Sequence, residues 1–207
     1  MTQIHAYVTD SGCFPENDRR NLPRINMRYE RRYKEAKTGH QKSGALAASL
    51  LLQCFAGIGP EEEILCNEYG KPYVPGKPFF SISHSDGLTV LAVSHEENIG
   101  IDIERIDRVT PRIIQKVSHY DTAAASQTEL AREWTRVEAA LKLKGTGFYS
   151  DPLKTEKAGF CYSSCVFDGH VITCASAAEH VFEVQFVSFV FKDSGITFNT
   201  ENIQKGL

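Results

Sequence analysis

GIDIE, at residues 100–104, and WTRVEAALK, at residues 134–142, are the stretches that define the fold and the candidate site. Successive side chains of a β-strand alternate between its two faces, so Asp102 and Glu104 share one face while the isoleucines beside them point into the core. A helix over the second stretch adds a third carboxylate, Glu138. Carboxylate oxygens that converge in this way suit a hard divalent cation such as Mg2+. The three acids are therefore the candidate metal ligands.

The composition is typical of a globular protein. With 207 residues, 42% of them hydrophobic and 24% charged, the chain can bury a core as one large domain or as two domains of about 100 residues each. The formal net charge of -3 argues against a general polyanion binder, so nucleic acid is not an expected partner. One early stretch is nevertheless basic, either as the solvated face of a helix or as a phosphate-binding surface. Its members are Arg19, Arg20, Arg24, Arg28, Arg31, Arg32, Lys34, Lys37 and Lys42.

The sequence predicts a cytoplasmic protein without a membrane segment. The N-terminus lacks the basic segment and apolar run of a signal peptide, and no stretch approaches the roughly 20 apolar residues that span a bilayer. The cysteines are too thinly spread for a disulfide framework and are predicted to be reduced thiols. They are Cys13, Cys54, Cys66, Cys161, Cys165 and Cys174.

Hydrophobic periodicity and turn signals predict an α+β fold. A first strand is expected at residues 4–9, followed by a basic helix over 21–37, a break at Thr38-Gly39 and an apolar helix over 41–55. A strand at 79–83 precedes a predicted hairpin whose strands cover 88–94 and 99–104. The last third predicts strands at 159–167, 170–177, 181–191 and 195–199, with a tight Asp168-Gly169 turn.

A helix over residues 127–144 is the best-marked element. Ser126 and Glu129 form a capping box at its start, and Gly145 is a stop signal at its end. One buried stripe is expected to contain Trp134, Val137 and Leu141. Glu138 and Lys142 are four residues apart and share a face beside that stripe.

Four motifs together resemble the Sfp-type 4'-phosphopantetheinyl transferases. They are GKP at residues 70–72, FSISHSDG at 80–87, GIDIE, and the pattern WxxxEAxxK at 134–142. The resemblance implies two α/β halves related by a pseudo-twofold axis, here 1–99 and 100–207, with coenzyme A and Mg2+ in the cleft between them. It also implies transfer of the phosphopantetheine arm of coenzyme A to a serine of an acyl, peptidyl or aryl carrier protein, with release of adenosine 3',5'-bisphosphate.

The resemblance also assigns roles to individual residues. Asp102, Glu104 and Glu138 correspond to the metal ligands, with Mg2+ as the expected ion and Mn2+ as the alternative. Glu138 and Lys142 are the catalytic candidates, and the acceptor of the serine proton is Glu138 or a metal-bound water. Contacts to coenzyme A are implied for Lys42, Ser43, Lys71, Pro72, Ser83, His84 and Lys142. A monomer is expected because one chain supplies both halves of the cleft.

Alternative interpretations exist for each part of this site. GIDIE alone is compatible with a strand that has a solvated acidic face, and Glu138 with Lys142 is compatible with an ordinary helix pair. The family usually has lysine where this chain has Val137, and Arg136, Lys142 or Lys144 is a candidate to replace it. Restoring lysine there is expected to tighten coenzyme binding or leave it unchanged.

Other functions follow if these assignments fail. A weakened relative that only binds coenzyme A, in a regulatory role, is the main rival, and a metal-dependent phosphate-ester hydrolase is another. A separate zinc site is an alternative for the C-terminal hairpin, because four side chains are expected on one of its faces. They are Cys161, Cys165, His170 and Cys174.

Overall fold

The computed structural model describes residues 1–14, 24–155, 159–192 and 195–203, without the side chain of Cys13. Within them the chain is a mixed α+β protein, as the sequence predicts. The helices are α1 (Met27–Glu35), α2 (Gly39–Phe55), α3 (Pro111–Val117), α4 (Gln127–Lys144) and α5 (Pro152–Thr155). The strands are β1 (Thr2–Asp10), β2 (Leu65–Cys66), β3 (Pro72–Tyr73), β4 (Phe79–Ser85), β5 (Leu88–Ser94), β6 (Ile99–Arg105), β7 (Cys161–Phe167), β8 (His170–Ser176), β9 (His180–Lys192) and β10 (Gly195–Asn202).

The strands form two principal sheets. A five-stranded sheet has the order β10-β9-β1-β5-β4, in which β1 and β9 are parallel and the other neighbours antiparallel. A three-stranded antiparallel sheet has the order β6-β8-β7. The larger sheet thus takes β9 and β10 from the C-terminal end of the chain. The division into halves at residue 100 stays a prediction.

Apolar side chains fill two layers around the larger sheet. On one side α1 and α2 cover it, with Leu46, Leu51 and Leu91 in a shared cluster. On the other side its residues meet the smaller sheet, where Val90, Ile101 and Ile172 pack together. Because β5 is buried on both faces, it is apolar along nearly its whole length.

Helix α4 lies directly against the backbone of β6, and Gly100 makes this approach feasible. A Cβ atom at Gly100 would lie 1.9 Å from the carbonyl oxygen of Ala139 and 2.5 Å from the amide nitrogen of Leu143. Heavy atoms do not approach so closely without a bond, so any larger residue would push the helix away. The first residue of GIDIE therefore sets the distance between the strand acids and α4.

The ends of α4 follow their sequence signals. Ser126 Oγ accepts from the amide of Glu129, whose side chain accepts from the amide of Ser126, so the predicted capping box is confirmed. Gly145 ends the helix with φ of 71°, in the left-handed region that glycine adopts without strain. A second capping box begins α2, where Thr38 is the cap rather than only a break.

Two predictions about local structure were wrong. Strands β5 and β6 do not form a hairpin: β5 pairs with β1 and β4, whereas β6 pairs with β8. The hairpin in this region joins β4 to β5 through Asp86 and Gly87, whose φ values are 44° and 90°. The basic helix begins only at Met27, where Asn26 caps it. The start predicted at 21 lies outside the described residues.

No helix in the described part of the chain has the length and apolar character needed to cross a membrane.

Candidate active site

The candidate site lies where β4 and β6 run beside each other, a contact that we call the seam. These strands belong to different sheets, and three alternate serines of β4 reach across to β6. Ser81 Oγ accepts from the amide of Ile101 at 3.1 Å. Ser83 Oγ donates to Asp102 Oδ1 at 2.7 Å, and Ser85 Oγ donates to Glu104 Oε1 at 2.6 Å. The seam is therefore joined by side chains.

Helix α4 completes a cluster of four charged groups, which we call the acidic cluster: Asp102, Glu104, Glu138 and Lys142. Lys142 Nζ donates to Asp102 Oδ1 at 2.6 Å and to Ser83 Oγ at 2.8 Å. Asp102 is only 4% exposed, and its Oδ2 atom is buried without a hydrogen-bond partner. The structure thus brings two predicted coenzyme contacts, Ser83 and Lys142, together with the three predicted metal ligands.

Electrostatics within the cluster disfavour its negative charge. The pKa of Glu138 is raised to about 7 by burial and by Asp102 and Glu104, with Lys142 opposing the rise. Burial also raises the pKa of Asp102, against the lowering effects of Lys142 and Ser83. Three acids face one lysine, so a positive ligand would relieve their repulsion. Across the described residues, no group of three His, Cys, Asp or Glu side chains is arranged as a metal site as it stands.

His84 lies on the opposite face of β4 from the serines, as strand alternation requires. It lines a cavity of about 410 Å³ together with Tyr29, Arg32 and Gly44. The pKa of His84 is lowered by burial and by Lys142 and Arg32, while Asp102 and Glu104 oppose the shift. These influences place the cavity within electrostatic reach of the acidic cluster.

The basic stretch contributes to this cavity through Arg32 alone among its described members. Arg24 pairs with Glu61, and Lys34 with Glu30, as solvated ion pairs. Lys42 Nζ lies 5.7 Å from the ring centre of Tyr33, and Ser43 is buried in α2. Neither Lys42 nor Ser43 is among the residues that line the cavity. Arg19 and Arg20 lie outside the described residues.

Lys71 lies at the C-terminal end of α4, apart from the acidic cluster. Its Nζ donates to Asn98 Oδ1 at 2.5 Å and to the carbonyl oxygens of Ile99 at 2.9 Å and Leu143 at 3.3 Å. Burial lowers its pKa to about 8. Lys71 and the adjacent Pro72 also line a second cavity of about 340 Å³.

Two asparagines share this contact, which we call the carbonyl clamp: Asn67, Lys71 and Asn98. Asn67 Nδ2 donates to the carbonyl oxygen of Gly145 at 2.8 Å, and Asn98 Nδ2 donates to that of Leu143 at 2.6 Å. The last carbonyls of a helix have no partners within the helix, so side chains that satisfy them fix its end. The GKP motif is thus joined to α4.

Val137 faces away from the acidic cluster. It is 4% exposed and packs with Val117 of α3 and Leu141, in the predicted stripe. The candidates to replace a lysine at this position are separately engaged. Arg136 pairs with Glu133 and lies over the ring of Tyr162, while Lys144 Nζ donates to Thr155. Among these three, only Lys142 reaches the cluster.

The C-terminal hairpin has the three cysteines and the histidine on one face, as predicted, but this face packs into the apolar core. The register of β7 and β8 places Cys161, Cys165, His170 and Cys174 on one side of the sheet. Burial raises the pKa of Cys165 to about 11 and also raises that of Cys174. Buried thiols of this kind behave as hydrophobic side chains. The grouping is not arranged as a metal site.

Sequence reasoning missed four polar residues around the charged groups: Ser81, Ser85, Asn67 and Asn98. A signal for two of them was present. The serines of FSISHS recur at every second position, as the acids of GIDIE do, so each set occupies one strand face. That pattern becomes informative only once β4 and β6 are known to be neighbours.

The chain is similar to known phosphopantetheinyl transferases, although no model of a protein family matches it. It is 32% identical over 176 residues to 4'-phosphopantetheinyl transferase gsp of Aneurinibacillus migulanus, covering 69% of this chain and 73% of that protein. It is also 32% identical over 123 residues to 4'-phosphopantetheinyl transferase AcpT of Salmonella typhi, covering 54% of this chain and 63% of that protein. AcpT of Salmonella typhimurium gives the same values. Because the match to gsp covers more than two thirds of both proteins, the chain belongs to the 4'-phosphopantetheinyl transferase family.

Proposed function

We propose that the protein transfers the 4'-phosphopantetheine arm of coenzyme A to a serine of an apo carrier protein, which yields the holo carrier and adenosine 3',5'-bisphosphate. One observation carries the proposal beyond family membership. Lys142 and Glu138 project from α4 onto the strand acids, and Lys142 Nζ lies 2.6 Å from Asp102 Oδ1. A lysine and a carboxyl group with a pKa near neutrality suit phosphoryl transfer.

Lys142 and Glu138 have distinct roles in the proposed reaction. Lys142 would donate hydrogen bonds to phosphate oxygens of coenzyme A and so offset their negative charge. Glu138 would accept the proton of the carrier serine while the serine oxygen bonds to the phosphorus that bears the pantetheine oxygen. The bond from that phosphorus to the neighbouring phosphate breaks. Burial raises the pKa of Glu138 to about 7, so it is a stronger base than an ordinary carboxylate, and a bound cation would lower that pKa.

The acidic cluster also fits a divalent cation. Asp102 Oδ2 is buried without a hydrogen-bond partner, and three acids face a single lysine. Asp102, Glu104 and Glu138 are the proposed ligands, with Mg2+ as the expected ion and Mn2+ as the alternative, because both accept carboxylate oxygens. When bound, the ion would neutralise negative charge on the pyrophosphate.

Coenzyme A is proposed to bind beside the seam, in the cavity that His84 and Arg32 line. His84 and Arg32 offer hydrogen-bond donors in this cavity of about 410 Å³, within electrostatic reach of Lys142. The proposed contacts keep the predicted set of Lys42, Ser43, Lys71, Pro72, Ser83, His84 and Lys142. For Lys71 this requires an exchange of partners, because its ammonium already has three oxygen acceptors.

The proposal includes the predicted organisation and partners. Residues 1–99 would form the coenzyme-contacting half and residues 100–207 the half with the metal ligands and catalytic helix, related by a pseudo-twofold axis. The partner is an apo acyl carrier protein or a peptidyl or aryl carrier domain, from fatty acid, polyketide or nonribosomal peptide biosynthesis. The enzyme would act as a monomer in the cytoplasm.

Intact-mass spectrometry of the carrier tests this function. The protein is incubated with coenzyme A, Mg2+ and a panel of apo carriers, and each carrier is expected to gain the mass of one phosphopantetheine if it is a substrate. A carrier whose attacking serine is changed to alanine is the matched control and should gain nothing. Adenosine 3',5'-bisphosphate should appear in equal amount to the modified carrier.

The same experiment separates the rival functions. If no carrier gains mass while coenzyme A remains bound and intact, the protein is a coenzyme-binding regulatory relative. If coenzyme A is broken down in the absence of any carrier, the protein is a hydrolase. Either result would overturn the transferase assignment.

A further inference from the structure

The three serines of β4 make different contacts across the seam although they share a strand face. Their residues are 5%, 6% and 7% exposed for Ser81, Ser83 and Ser85, so their burial is nearly the same. Ser81 accepts a hydrogen bond from a backbone amide. Ser83 and Ser85 instead donate to carboxylates, those of Asp102 and Glu104. Ser83 and Ser85 thus hold the carboxylates, whereas Ser81 holds the backbone of β6.

Each carboxylate is held through one oxygen. Asp102 Oδ1 accepts from Ser83 and Lys142, while its Oδ2 is buried without a hydrogen-bond partner. Glu104 Oε1 accepts from Ser85 Oγ and, at 2.8 Å, from the amide of Arg105. Fixing one oxygen of a carboxylate sets the direction of the other. This is how partners outside a metal site orient its ligands.

Ser85 itself is held on both sides. Its hydroxyl donates to Glu104 and accepts from the amide of Arg105 at 3.3 Å, so the direction of its proton is determined. Arg105 follows Glu104 in β6, so a single hydroxyl ties the carboxylate to the strand that carries it. Alanine at this position would leave the strand pairing of β4 with β5 in place, because those contacts use the backbone.

We propose that Ser85, together with Ser83, is a positioning residue that orients a strand carboxylate toward a divalent cation, with Ser85 acting on Glu104 and Ser83 on Asp102. The inference rests on the proposed function, which makes those acids metal ligands. It adds a role for Ser85, the third serine of FSISHS, a residue with no assigned contact to coenzyme A or to the carrier. Loss of such an outer partner typically weakens metal affinity about 10- to 100-fold.

Metal binding measured without turnover tests this role. Free Mn2+ is quantified by electron paramagnetic resonance during titration of the protein, with coenzyme A present and no carrier added. Ser85→Ala is expected to weaken Mn2+ binding about 10-fold or more. Ser85→Thr retains the hydroxyl and is expected to restore most of the affinity.

Ser81→Ala is the matched control, since it removes an equally buried hydroxyl from the same strand face without touching a carboxylate. It is expected to leave Mn2+ affinity close to that of the wild-type protein. Equal weakening by Ser81→Ala and Ser85→Ala would overturn the inference, because the seam as a whole would then be responsible. Unchanged affinity in Ser85→Ala, or no Mn2+ binding by the wild-type protein, would also overturn it.

The outcomes also separate this inference from the proposed function. A wild-type protein that binds Mn2+ with the predicted serine dependence but modifies no carrier would support the positioning role and refute the transferase assignment. If the protein modifies carriers while Ser85→Ala retains full Mn2+ affinity, the transferase assignment is supported and the positioning role is refuted.

Discussion

Helix α4 makes polar contacts of two opposite kinds, the acidic cluster along its middle and the carbonyl clamp at its C-terminal end. In the acidic cluster Lys142 donates to the carboxylate of Asp102 and also acts electrostatically on Glu138. In the carbonyl clamp Lys71 meets only neutral oxygens, and burial lowers its pKa to about 8. The acidic cluster therefore has more acidic than basic groups, whereas the carbonyl clamp has a single basic group and no acid.

This difference distinguishes the proposed cation site from a contact that holds the end of α4. Excess negative charge can be relieved by a bound cation, so the acidic cluster is suited to ligand exchange. The clamp satisfies carbonyls that the end of α4 leaves without intrahelical partners, and a cation is favourable at the negative end of a helix. The clamp thus fixes the helix whose side chains complete the site.

The largest expected effect is that of Gly100→Ala, which breaks both regions at once. The added Cβ would lie 1.9 Å from the carbonyl oxygen of Ala139, so α4 must move away from β6. We expect the free energy of unfolding to fall by more than about 3 kcal/mol, as for severe overpacking. Urea unfolding followed by circular dichroism measures this.

Gly44→Ala is the matched control for stability. Gly44 lies within α2, where the added Cβ would meet only the Cδ2 atom of His84, at 3.9 Å. Alanine favours a helix by about 1 kcal/mol over glycine, so this variant should be as stable as the wild-type protein or more stable. If Gly100→Ala unfolds at the same urea concentration as the wild-type protein, α4 is not held against β6 as described.

Asp102→Asn and Glu138→Gln test the acidic cluster alone. Each keeps the side-chain shape and removes a charged oxygen, so we expect phosphopantetheine transfer to fall by more than about 100-fold, beyond the 10- to 100-fold typical of outer partners. Transfer is followed by the mass of the carrier. Asp107→Asn, which removes an exposed partner of Arg105, should transfer at nearly the wild-type rate. A wild-type rate in either cluster variant would remove that residue from the site.

The sequence predicted the elements whose signals are local. Both ends of α4 agree with the prediction because Ser126, Glu129 and Gly145 act within one turn of the helix. The pairing of β6 was mispredicted because a turn between adjacent strands does not reveal a partner such as β8, which lies far along the chain. The same limit hid Ser85 and Asn67, whose roles depend on contacts between distant segments. Residues that carry the charge could be found, but not those that position it.

Val137→Lys tests whether the face of α4 that packs against α3 lies outside the site. The family pattern predicts that lysine here tightens coenzyme binding or leaves it unchanged, but Val137 is 4% exposed and packs with Val117 and Leu141. A buried ammonium without a partner is costly, so we now expect a loss of about 2–3 kcal/mol in the free energy of unfolding. Val137→Met, which is similar in length but uncharged, should lose less. Tighter coenzyme A binding by the lysine variant in calorimetry, with unchanged stability, would show that this face of α4 belongs to the site.

Lys71→Met should have the smallest effect at neutral pH and a distinctive dependence on pH. Loss of the ammonium leaves carbonyls of the clamp unsatisfied, at a cost of about 1–2 kcal/mol. The pKa of Lys71 is about 8 in the folded protein and 10.5 in the unfolded chain, so between these values the unfolded chain binds the proton that the folded protein has lost. The wild-type free energy of unfolding should therefore rise relative to that of the variant, by at most about 1.4 kcal/mol per pH unit from pH 8 to 10.5. Lys71→Arg keeps the cation but does not deprotonate in this range, so the wild-type protein should rise relative to it as well. If the difference in the free energy of unfolding between the wild-type protein and each variant does not change with pH, the carbonyl clamp stabilises the charged lysine as well as water does. The carbonyl clamp and the acidic cluster would then differ in position along α4 but not in charge balance.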